Sequence, residues 1–122
     1  MSTMGRKCWV FADGDLPPAG EKAPFGHEAL MVTNLNKKRA NLTLEVLFED
    51  REPVRDIRLS VDAERVKCFR LDKPLGERKV QIPFGQYALG VHSGIPVVAV
   101  FGRLDVRQAN LAYYSVQGFA AA

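Results

Sequence analysis

The sequence predicts an all-β protein, a single-domain antiparallel β-sandwich of jelly-roll-like form with about eight short strands. Three observations carry that prediction. Apolar and polar residues alternate with period two in several segments, most clearly where Ala40, Leu42, Leu44, Val46 and Phe48 interleave with Asn41, Thr43, Glu45 and Leu47. The alternating segments are short and bounded by clusters of Gly, Pro, Asn and Asp. No run of helical period, coiled-coil heptad or internal repeat competes with them. A chain of 122 residues with 47% hydrophobic and 25% charged content fits one domain over residues 1–122 with a real core.

The elements follow in order. Residues 7–12 read as a first strand carrying the single Trp, and residues 13–26 as a long loop punctuated by Gly and Pro. Ordered loops of that length tend to be binding lids or interface arms. His27 and Glu28 open an apolar strand over 29–33, and residues 34–38 turn the chain. The alternating strand over 40–48 comes next. After a charged turn, Ile57, Leu59 and Val61 alternate with Asp56, Arg58 and Ser60. Val66, Cys68 and Leu71 then resume beside Arg65, Lys67 and Arg70, and residues 71–81 read as an exposed loop. Tyr87, Leu89 and Val91 start a strand that Gly94, Ile95 and Pro96 separate from the next one. Tyr113, Tyr114 and Val116 favour a final strand over 112–119. The alanine tail at 120–122 is expected to fray.

Composition excludes several functions. The net charge of +3 is too mild for a dedicated nucleic-acid binder, so such binding is weak at most. No apolar run is long enough to span a membrane. Arg6 and Lys7 precede only five apolar residues before Asp13 and Asp15, so no secretory signal is expected and the cytoplasm is the expected location. The two cysteines, Cys8 and Cys68, lack a C-x-x-C spacing and are expected to be small buried hydrophobes. There is no nucleophile elbow, phosphate loop or Cys–His pair close in sequence, so an enzyme is not expected, nor a cofactor.

The stretch 94–108 organises the chain. Its apolar half, Val97 to Phe101, reads as a strand buried on both faces, which suggests that another copy covers part of so small a domain. Its second half places Arg103, Asp105 and Arg107 at alternate positions, hence on one face of an extended chain.

Several pieces together resemble the sensory rhodopsin transducer family. They are Cys8-Trp9 with Ala12, Gly14-Asp15-Leu16-Pro17, His27-Glu28, Asn34, Asp50-Arg51-Glu52-Pro53, Arg58-Leu59-Ser60-Val61 with Arg65 and Lys67, and Arg103-Leu104-Asp105-Val106-Arg107-Gln108. The likeness runs from about residue 5 to residue 119. It implies a small cytoplasmic β-sandwich that assembles as a homotetramer. It also implies a binding role, towards a membrane receptor such as a sensory rhodopsin or towards small molecules, sugars among them. Cys68, Glu64 and the apolar approach Val100-Phe101-Gly102 depart from the family pattern.

The candidate ligand-binding residues are Trp9, His27, Glu28, Arg103, Asp105, Arg107 and Gln108. Arg103 and Arg107 offer guanidinium forks for a carboxylate, a phosphate or sugar hydroxyls, with Asp105 to orient them. The same residues equally suit an ion-pair network within or between subunits. Trp9 is either a stacking platform or core. His27, Glu28 and His92 carry the donor types of a metal site, but no H-x-H or H-x-x-x-H spacing, so no metal is expected.

Overall fold

In the computed structural model, which describes residues 4–107 and 112–122, the period-two segments become strands. Eight are present among the described residues: β1 (Arg6–Leu16), β2 (His27–Asn34), β3 (Ala40–Leu47), β4 (Val54–Val61), β5 (Arg65–Arg70), β6 (Gly85–Asp105), β7 (Ala112–Val116) and β8 (Gly118–Ala121). All pairings are antiparallel. The all-β expectation holds.

Two sheets share one strand. The first runs β4-β3-β6-β1-β8. In the second, β2 lies between β5 and β6, and β7 pairs the other side of β6. Residues 85–93 of β6 pair in the first sheet, with one further first-sheet pairing at Val97–Arg6, and residues 98–105 pair in the second. One core fills the space between, with Phe11, Leu30, Leu44, Leu89 and Phe101 among its fully buried members. At one corner the buried Asn34 amide donates to the carbonyls of Lys38, Val61 and Asp62, closing the turn that leads into β3.

Several expectations change. Gly94, Ile95 and Pro96 do not break the chain into two strands; β6 continues through them for 21 residues. They are where it leaves one sheet for the other. Pro96 has no N–H for a ladder, and its carbonyl is taken by the Asn36 amide at 2.7 Å. Conversely, the single strand expected at 112–119 is two, because β7 pairs β6 in the second sheet while β8 pairs β1 in the first. Ala120 and Ala121, in the tail expected to fray, pair with Trp9 and Cys8 across that ladder.

The run 97–101 is buried on one face only. Val97, Ala99 and Phe101 point into the core, whereas Val100 is 47% exposed. The second sheet has a single core-facing side, so alternate residues must point outward. For the same reason Cys68 is exposed on β5 and Cys8 half-buried on β1, rather than both being core.

Candidate functional site

The buried charge of this protein is concentrated where β2 and β6 cross the end of β1. Glu28 and Arg103 are cross-strand partners in the β2–β6 ladder, and both side chains point inward. Glu28 is 0% exposed and Arg103 4%. A carboxylate so placed needs donors on every side, and Glu28 has them. Arg103 Nε donates to Oε2 at 2.7 Å, the Asp15 backbone N–H to the same oxygen at 3.0 Å, and the Tyr87 hydroxyl to Oε1 at 2.6 Å. Arg103 Nη2 in turn donates to the Asp13 carbonyl.

Local sequence explains the fit. Gly14 stands opposite Tyr87 in the β1–β6 ladder, and a Cβ there would lie 2.7 Å from the phenol ring. Only glycine lets the ring lie flat across β1 and reach Glu28. The β1–β6 register slips between Phe11 and Gly14, which turns the Asp13 carbonyl and the Asp15 amide towards the pair. Burial, and then the neighbouring Glu28 charge, push the Tyr87 hydroxyl far above its ordinary pKa, so it stays protonated as a donor. The result is a clamp that ties the end of β1 to both β2 and β6. No buried side-chain nitrogen or oxygen among the described residues lacks a partner.

The strand end outside the clamp differs. β6 stops at Asp105, so alternation does not carry Arg107 onto the face shared by Arg103 and Asp105. The chain instead turns, and Arg107 folds back on Asp105. Its backbone N–H and its Nε each reach Oδ1 at 3.0 Å, and Nη2 bonds Oδ2. These bonds hold the Asp105 carboxyl below its usual pKa, with the Arg103 charge a smaller contribution. The Arg107 side chain is 53% exposed and that of Asp105 17%. His27, one residue before Glu28, faces the other way, with Nδ1 2.8 Å from the Phe25 carbonyl oxygen.

Of the residues expected to line one site, Glu28 and Arg103 meet in the clamp, and Asp105 and Arg107 pair just beyond it. His27 lies beside them on β2. Trp9 does not join them. It sits roughly 15 Å further down β1, where its indole N–H is shared between the Val97 and Arg6 carbonyl oxygens at 3.1 and 3.2 Å. A run of rings, Trp9 to Phe11 to Phe101 to Tyr87, links the two places, with centroids 6.3, 5.5 and 6.5 Å apart. Gln108 lies outside the described residues. His27 and His92 belong to different sheets, and no group of three or more His, Cys, Asp or Glu suited to a metal forms among the described residues. The basic strand β5 is solvated: Lys67 stacks on Phe69 and Arg70 pairs Asp72.

Sequence reasoning missed Tyr87, whose place in the Tyr87-Leu89-Val91 alternation reads as plain core. The available signal was its hydroxyl, since a buried tyrosine needs a partner for it.

Comparison with known proteins agrees with this architecture. The sequence profile of the family described as Anabaena sensory rhodopsin transducer matches residues 4–120. A Thermotoga maritima protein of known crystal structure is 28% identical, with a TM-score of 0.84 and 96% of each chain covered. The Anabaena sensory rhodopsin transducer itself is 34% identical, with a TM-score of 0.74 over 88% of this chain and 95% of that one. A search of curated proteins found no match. With the profile covering nearly its whole length and an all-strand fold shared with both structures, the chain belongs to the sensory rhodopsin transducer family.

Proposed function

We propose that this protein is a non-enzymatic signal-transducing domain that binds a small anionic or sugar-like ligand at the end of β6. Asp105 and Arg107 would contact the ligand beyond the Glu28–Arg103 clamp, with Gln108 adjoining them in sequence and His27 on the opposite face of the same strand ends. One observation carries this reading: an accessible guanidinium–carboxylate pair begins two residues beyond a buried, fully satisfied one, at the end of β6. The buried pair has its hydrogen bonds filled by its own neighbours. The accessible pair can exchange its internal bonds for those of a carboxylate, phosphate or hydroxyl.

Transduction follows if the ligand favours one arrangement of the clamp. The clamp grips the backbone of β1 at Asp13 and Asp15, so a shift at Arg103 moves that strand. A ligand drives such a shift only by the difference in its affinity for the two arrangements. The working form would be a cytoplasmic homotetramer that passes the change to a membrane receptor of the sensory rhodopsin kind.

A thermal-shift screen against sugars, nucleotides and small carboxylic acids tests the binding. A ligand at a hundred times its Kd adds about 2.7 kcal/mol, a rise of several degrees for a domain of this size. The rise is expected to vanish in Arg107→Ala while the unliganded melting temperature barely moves. No rise with any compound overturns the small-molecule reading.

Docking to partner proteins alone is the second reading, and the outer face of the second sheet favours it. Val66, Val100 and Tyr113 are 66%, 47% and 67% exposed there, an apolar surface suited to a protein neighbour. Light scattering is expected to show a tetramer, and a monomer would count against both the assembly and this use of the face.

A further inference from the structure

Cys8 and His92 are 84 residues apart in sequence, yet they stand opposite each other in the β1–β6 ladder. Cys8 Sγ lies 3.0 Å from His92 Nδ1. The two line a groove of about 450 Å³ whose other walls include Trp9, Thr43, Glu45 and Arg55. His92 is exposed and Cys8 half-buried, so small molecules can approach the sulfur from solvent. Glu45 and Arg55 are already joined to each other, which leaves the imidazole as the neighbour poised to take the thiol proton.

The chain carries its own control. Cys68 is the more exposed thiol, on the outer face of the second sheet opposite Met31. The only other histidine, His27, is four residues along β2 from Met31, the cross-strand partner of Cys68, and so roughly 13 Å from that position. Among the described residues, then, Cys8 has an imidazole in contact and Cys68 does not, while exposure alone would rank them the other way.

We propose that Cys8 is a nucleophilic thiol and a site of oxidation by small peroxides, with His92 as its base. His92 Nδ1 accepts the thiol proton as the sulfur lone pair attacks one peroxide oxygen. The O–O bond breaks, the leaving hydroxide takes the proton back from the imidazole, and water departs. Sulfur loses two electrons to the peroxide and becomes the sulfenic acid. Because Cys68 lies on the far sheet, the product is not closed off by a disulfide within the chain and stays open to capture by a free small thiol. This inference is independent of any ligand at the end of β6.

The test uses the two cysteines in competition. The full chain is treated near neutral pH with limiting iodoacetamide, or with hydrogen peroxide followed by dimedone, and each cysteine is read by peptide mass spectrometry. Cys8 is expected to be labelled roughly tenfold faster than Cys68, as a thiol with an adjacent imidazole should be. His92→Gln is expected to bring Cys8 down to the rate of Cys68 or below it. The same chain unfolded in guanidinium supplies a reference, where the two rates should converge, so the comparison survives even if the variant folds poorly. Equal or slower labelling of Cys8 in the folded wild type overturns the proposal. So does a Cys8 rate that His92→Gln leaves unchanged, or a dimedone adduct confined to Cys68.

Discussion

Two guanidinium–carboxylate pairs meet near the end of β6, one through Arg103 and the other through Asp105 two residues on, and differ in almost everything but their chemistry. Arg103 and Glu28 are walled in by β1, β2 and β6, with side-chain exposures of 5% and 0%, whereas Arg107 folds over Asp105 with 53% and 17%. The buried pair is tied to a tyrosine and to two backbone groups of a third strand; the outer pair is largely a local turn contact. What separates them is what happens when a partner is lost. Water can solvate an abandoned charge at the strand end, but it cannot reach one inside.

Removing the buried carboxylate is the harshest way to test that contrast. Glu28→Ala strands the Arg103 guanidinium in the core and is expected to destabilise the fold by about 3–5 kcal/mol in urea unfolding. A loss below about 1 kcal/mol would mean that water enters the clamp and the two pairs are alike. Tyr87→Phe is gentler. It keeps the ring packing and removes one donor from Glu28, for an expected cost of about 1–3 kcal/mol. The smallest effect belongs to Asp105→Asn, expected below about 1 kcal/mol near neutral pH.

That last variant also carries a pH signature. Because the folded pKa of Asp105 is depressed by Arg107, its contribution is present above the unfolded value of about 3.9 and lost as pH falls through the folded one. Asp105→Asn should therefore show a shallower loss of stability on the acid side than the wild type. Parallel acid limbs for the two proteins would show that the Asp105–Arg107 contact adds nothing to folding.

The strands were legible in the sequence because each has one wet and one dry face, and alternation records that directly. Less legible was where a strand changes sheets. Gly94 and Pro96 mark an interruption of pairing, which reads as a loop when pairing and strand are taken as the same thing; in β6 the backbone stays extended while its partners change. The candidate site was legible in part. Arg103 and Glu28 drew attention as charges beside apolar runs, but period two alone suggested Arg103 with Asp105 and Arg107. The actual partner of Arg103 comes from another strand, 75 residues away, and register between distant strands is not written locally. Cys8 and His92 were hidden by the same separation.

The sharing of β6 has a mechanical consequence. In a sandwich whose layers touch only through side chains, one layer can slide on the other at the cost of repacking. Here a continuous covalent backbone runs from the middle of one layer into the middle of the other. A push delivered at residue 105 thus has one unbroken strand to travel along, past the change of sheets at residues 94–96, to the stretch that pairs with Trp9.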